Sequence, residues 1–169
     1  MKKIKFLVIF MTLIMAISSL ASVSASAFSN YSDRSFDTGY HAIADSTTYY
    51  NVGMPCTDIN PTTGVYNVTS PYGYRAKCNA TGTYIYNQSG SAFKFRVCGS
   101  SSILGYDLFP NDSRKVGRVE AGQMRLFRQW VYENGHGYCG LYAASIYDNS
   151  RATGLWSPDS IGSFSYCND

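Results

Sequence analysis

His136, Gly137, Tyr138 and Cys139 bring a potential general base and a thiol within four residues. Such a pair could act as a base-activated nucleophile or as two metal ligands. The return strand expected here argues against both. Side chains alternate faces along a strand, so residues three apart point to opposite sides. His136 is therefore expected as a turn histidine and Cys139 as a structural cysteine. The only other histidine, His41, falls in a polar, aperiodic stretch. Asp58, Asp107, Asp112, Glu120, Glu133 and Asp148 could in principle supply the paired carboxylates of a glycosidase. That chemistry needs carboxyls about 5 to 9.5 Å apart, and their spacing along the chain sets no such pair. They read as solvated loop and strand-edge acids. The sequence has no G-x-S-x-G elbow, H-E-x-x-H helix, EF-hand loop or glycine-rich phosphate loop. No catalytic residue, metal site or cofactor is expected, and a hydrolase is a minor alternative.

Five cysteines, Cys56, Cys78, Cys98, Cys139 and Cys167, are candidates for disulfides. An odd number leaves one over, and spacing alone does not choose the pairing. The absence of C-x-x-C argues against a zinc ribbon or a thioredoxin-type centre.

Tyrosine is abundant, at 15 residues. It combines large contact area with a polar tip, and Ser, Gly and Asn add adaptable hydrogen bonds, the mixture used by binding loops. The candidate ligand-contacting residues are Tyr49, Tyr50, Tyr72, Tyr74, Tyr106, Tyr138 and Tyr147. Against this stands the ordinary preference of tyrosine for strands. Arg114, Lys115 and Arg118 form a short basic strip that reads as a solvated loop.

These residues need a scaffold, and the sequence implies an all-β one. Residues 1–27 have three lysines, an apolar run at 6–17 and a terminal Ala25-Ser26-Ala27. This is the pattern of a cleaved secretory signal peptide, and the run is shorter than the roughly 20 residues of a membrane span. Without Lys2, Lys3 and Lys5 the 14 basic residues fall to 11, balancing the 11 acidic ones. A nucleic-acid partner is therefore not expected, and the mature chain is expected to have no membrane span. Residues 28–46 read as a flexible N-terminal arm.

Residues 47–169 read as one antiparallel β-sandwich domain of about seven or eight strands. Short Val-, Thr-, Tyr- and Phe-rich runs alternate with Gly, Pro, Asn and Ser clusters. Two hairpins are predicted. The first spans 81–98 and turns at Ser89-Gly90. It places Tyr84 and Tyr86 opposite Phe95 and Phe93, with Lys94 and Arg96 on the other face. This register argues against a Cys78–Cys98 bridge. The second joins 123–133 to 137–147 through Asn134-Gly135, a preferred type I′ turn pair. It puts Met124, Leu126, Trp130, Tyr132, Cys139, Leu141 and Ala143 on a core face, with Arg128 as the discordant member and Phe127 and Val131 pointing away. Residues 47–52, 65–68, 74–79, 103–109 and 152–156 are further strand candidates. Asn67-Val68-Thr69, Asn79-Ala80-Thr81 and Asn87-Gln88-Ser89 fit the glycosylation pattern but read as ordinary turn and strand residues.

Val119-Glu120-Ala121-Gly122-Gln123, Leu141-Tyr142-Ala143 and Gly154-Leu155-Trp156-Ser157-Pro158-Asp159 resemble segments of small, mostly uncharacterised secreted β-sandwich proteins of Gram-positive bacteria. Some neighbours of those proteins in fold are bacteriocins. The resemblance covers about the last 90 residues and implies a fold and an extracellular location, with no catalytic residue. The expected function is thus non-enzymatic binding of a cell-wall component, glycan or protein partner through the tyrosine-rich surface. The alternatives are a bacteriocin-like effector, and a hydrolase or an inhibitor whose loop would run from Met54-Pro55-Cys56 to Pro61. The oligomeric state is not legible.

Overall fold

The computed structural model describes residues 28–113, 116–161 and 166. The expected signal peptide and Cys167 lie outside them. The described chain is all-β, with no α-helix and a single 3-10 turn at Pro110–Asp112. Among the described residues no helix is long and apolar enough to cross a membrane.

Two main antiparallel sheets face each other. The first contains β1 (Arg34–Asp37), β12 (Ala152–Ser157), β6 (Thr83–Gly90) and β10 (Met124–Phe127), in that order. The second runs β2 (Tyr50–Asn51), β11 (Tyr138–Ser145), β7 (Phe93–Ser100) and β8 (Leu108–Phe109). On it, β5 (Arg75–Ala76) pairs with β11 and β9 (Gly117–Val119) pairs with β7. A separate ribbon joins β3 (Cys56–Ile59) to β4 (Tyr66–Ser70). The strands number twelve, more than expected, because several are pieces of only two to five residues.

Alternation explains which faces are buried. In β7, Phe93, Phe95 and Val97 point into the core while Lys94 and Arg96 point out. In β12, Ala152, Gly154 and Trp156 point in. With Phe36, Ile85, Phe127, Cys139 and Leu141 these side chains fill the space between the sheets. Phe36 meets Phe95 edge-on at 5.3 Å, a favoured aromatic geometry.

Neither predicted hairpin forms. A turn does occur at Ser89-Gly90, and Gly90 takes the left-handed φ of 94° that glycine permits. It carries the chain across the sandwich. β6 pairs with β12 and β10, whereas β7 pairs with β11, β8 and β9. Ile85 and Phe95 therefore share the central core, and Tyr84 and Tyr86 lie half-buried on the outer side of the first sheet. The Asn134-Gly135 segment also connects the two sheets. Asn134 N–H bonds to the Trp130 carbonyl and His136 N–H to that of Val131, a wider turn than the two-residue I′ type. Cys139 is inside as expected, with Leu126, Leu141 and Ala143, but Trp130 is exposed and Phe127 and Val131 are buried.

The 28–46 stretch is docked along the domain rather than loose. Arg34–Asp37 pairs with β12, and His41 bridges to Ser150. Asn30 is fully buried in a polar network. Its Nδ2 donates to Asp58 at 2.8 Å and to the Ala76 carbonyl at 2.9 Å. Arg75, also fully buried, donates to Asn30 Oδ1, Ser32 and Asp58, and lies over the Trp156 ring at 5.7 Å.

No disulfide joins any two of the described cysteines. Cys78 packs with Ile59 and Ala76, while Cys98 packs with Tyr74 and Tyr142, so the two sit in different clusters. The expected separation holds, for a reason other than hairpin register. Cys56 stands unbridged at the start of the β3–β4 ribbon, which removes the constraint proposed for an inhibitor loop. The Asn79 and Asn87 side chains serve the fold: Asn79 accepts from Thr81, and Asn87 donates to the Ser91 and Val119 carbonyls.

Candidate functional site

Beyond β10 the chain keeps an extended alternation. Phe127, Gln129 and Val131 are buried, while Arg128 and Trp130 are exposed. Gln129 fixes this phase. Its Nε2 donates to the Thr81 carbonyl at 3.0 Å, and its Oε1 accepts from Val131 N–H at 2.8 Å. Both polar ends of a nearly buried amide are thereby satisfied. Trp130 is thrown outward with 48% of its surface exposed, whereas the other tryptophan, Trp156, is fully buried.

A cleft of about 230 Å³ opens beside it, lined by Thr81, Gly82, Arg128, Trp130, Glu133 and Tyr166 among others. The Arg128 guanidinium lies 4.4 Å from the centre of the Tyr166 ring, within cation–π range. Tyr166 is held by a bridge to Leu126. The cleft thus has two flat aromatic surfaces, a cation, a carboxylate and peptide groups. Sites for small polar ligands combine such apolar faces with a few directed polar groups.

The far side of the Trp130 turn is anchored by Asp112. Its backbone carbonyl accepts from Trp130 N–H at 2.8 Å, and its Oδ1 accepts from Asn134 Nδ2 at 2.7 Å. Asp112 Oδ2 is buried without a hydrogen-bond partner, 3.5 Å from His136 Nε2. Phe109 stacks on the His136 ring at 3.8 Å. Gly99 leaves room for the carboxylate, because a Cβ there would run into Asp112 Oδ2. His136 thus faces Asp112 and Phe109, while Cys139 lies in the core with its thiol pushed well up by burial. The described residues hold no group of three or more His, Cys, Asp or Glu placed to bind a metal.

The seven candidate tyrosines do not converge on one site. Tyr74 is buried, and its hydroxyl bonds to that of Tyr142. It cannot meet a ligand, and this corrects its expected role. Tyr49 is half-buried, with the Arg96 guanidinium 4.5 Å from its ring centre. Tyr49, Tyr74, Tyr142 and Cys98 form one cluster. Burial pushes the Tyr74 and Tyr142 phenols up and the Cys98 thiol up to about 11. Tyr138 packs half-buried against Ile59, Ala76 and Cys78. Tyr50, Tyr72, Tyr106 and Tyr147 are exposed. Tyr50 lies 6.0 Å from His41, and Tyr147 accepts from Arg118, which also pairs with Glu120 at 2.5 Å. Arg114 and Lys115 lie outside the described residues.

The carboxylates are dispersed. Asp58 is paired with Arg75, Asp107 accepts from Ser101, and Asp148 caps Ala44 N–H. Glu133 is the one that lines the cleft.

A family model described as a protein of unknown function, DUF2712, matches residues 21–160. The chain belongs to the DUF2712 family. The match extends well beyond the C-terminal segments that carried the resemblance and takes in Arg128, Trp130, Glu133 and the whole polar network. No curated protein and no solved structure matches the chain.

The core face read from the sequence takes in Trp130 and therefore leaves the cleft residues out. Arg128, discordant on that face, was the available signal. The opposite phase buries Phe127, Gln129 and Val131 and leaves Arg128 and Trp130 outside.

Proposed function

We propose that this DUF2712 chain is a secreted, non-enzymatic β-sandwich that binds an extracellular glycan, such as a cell-wall saccharide, in the Trp130 cleft. The observation that carries this reading is a half-exposed indole held by a buried glutamine clamp at the rim of a 230 Å³ cavity. Leaving about half of an indole exposed gives up part of the roughly 1.5–3 kcal/mol that a large apolar side chain gains on full burial. A flat ring can recover that stabilisation by stacking on the apolar face of a sugar, while Arg128 and Glu133 address its hydroxyls. Tyr50, Tyr72, Tyr106 and Tyr147 are exposed but dispersed, and none of them lines the cleft.

The test is sedimentation of the purified chain with isolated Gram-positive cell walls and with intact cells, counting survivors in the same tubes. Saturable sedimentation with unchanged viability, lost in Trp130→Ala at an unchanged melting temperature, is the expected result. Sedimentation that Trp130→Ala leaves intact refutes the cleft. Loss of viability replaces the binding module with a toxic effector.

A further inference from the structure

We propose that Lys77 and Asp159 condense into an intramolecular amide, a covalent staple between the segment after β5 and the segment after β12. Lys77 Nζ lies 2.6 Å from Asp159 Oδ1, and both side chains are fully buried. The two residues are 82 positions apart in the chain.

The surroundings match the product better than the ion pair. An ammonium has three N–H donors, and among the described residues Lys77 Nζ has two acceptors, Asp159 Oδ1 and the Thr81 carbonyl, each at 2.6 Å. A secondary amide keeps one N–H, for which the Thr81 carbonyl is placed. Asp159 Oδ2, which becomes the amide oxygen, already accepts from Asn30 N–H at 2.8 Å and Cys78 N–H at 3.2 Å. These two backbone donors also stabilise negative charge on that oxygen during attack, as an oxyanion hole does. Condensation removes two charges from a site where holding them is costly. The neighbouring Arg75–Asp58 pair is buried as completely, but a guanidinium stays protonated and cannot attack.

The step balances without a co-reactant. A proton passes from Nζ to Oδ1 along their hydrogen bond, and the neutral amine forms a bond to Cγ. The electron pair of the C=O bond moves onto Oδ2. As it returns, the Cγ–Oδ1 bond breaks, and Oδ1 leaves as water with a second proton from the nitrogen. Nothing is oxidised or reduced. The buried Cys139 thiol lies close enough to feel the charges of Lys77, Asp159, Arg75 and Asp58.

Intact-mass spectrometry of the reduced full chain secreted from its host tests the proposal. The expected mass is lower than the processed sequence requires by one water. Proteolysis after unfolding should release a branched peptide joining the Lys77 and Asp159 segments. Lys77→Arg, which keeps the charge but cannot form the amide, should show the full mass. The wild-type mass needs no variant to fold. A wild-type chain at full mass overturns the proposal, as does a lost water that maps to any other residues.

Discussion

Arg75→Met should remove a large part of the stability of the domain. Arg75 donates to the Ser32 carbonyl at 2.6 Å, Ser32 Oγ at 2.9 Å, Asn30 Oδ1 at 2.8 Å, Asp58 Oδ1 at 3.1 Å and the Trp156 carbonyl at 3.2 Å. Methionine fills similar volume but supplies none of these donors. Asp58 would keep Ala76 N–H and Asn30 Nδ2 but lose its counter-charge in a site with no exposure. Breaking a buried pair from one side costs about 3–5 kcal/mol. Small domains have only about 5–15 kcal/mol in total. With a urea slope near 2 kcal/mol per molar, the midpoint should fall by about 2 M. Urea titration followed by tryptophan fluorescence reads this directly, since Trp156 sits against Arg75. In a double-mutant cycle, Asp58→Asn should couple to Arg75→Met by more than about 1 kcal/mol. A midpoint shift below about 0.5 M, or additive single changes, would refute the view that this network is a mainstay of the fold.

Gly99→Ala drives a methyl group into Asp112 Oδ2. It should cost about 1–3 kcal/mol, read as a lowered urea midpoint, and weaken ligand binding because Asp112 anchors Trp130. Among the described cysteines, native thiol labelling at pH 8 should modify the half-buried Cys56 first. Cys98 and Cys139, buried with raised thiol values, should react only after unfolding. Arg151 hydrogen bonds hold the Asp37 carboxyl below its usual range. A depressed carboxyl contributes stability above its unfolded value near 4 and loses it as pH falls through the lower folded value. Arg151→Gln should therefore narrow the gap between melting temperatures at pH 5 and pH 3.

The fold class was legible because strand texture is local. Phe93-Lys94-Phe95-Arg96-Val97 alternates in the sequence and in the structure. The places where the chain reverses were legible too, at Gly90 and Gly135. What those turns connect was not. Alternating strands joined by a short turn bury apolar side chains equally well as side-by-side partners or as partners facing each other across a core. Here Ile85 and Phe95 settle the matter by sharing the core, a contact that no local pattern encodes. The arm was misjudged for a related reason. Asn30 and Asp58 look like surface residues until Arg75, brought from another segment, completes their hydrogen bonds. In the cleft, one phase error along residues 127–131 hid Trp130. Tyr74 failed as a contact because Tyr142 and Gly105 close over it.

The Trp130 cleft is tested most directly by calorimetric titration of soluble cell-wall oligosaccharides into the wild-type chain and into Trp130→Ala. Saturable binding to the wild type that weakens at least tenfold in the variant, about 1.4 kcal/mol, at unchanged thermal stability, is the predicted result. Equal affinity in the two proteins would contradict it.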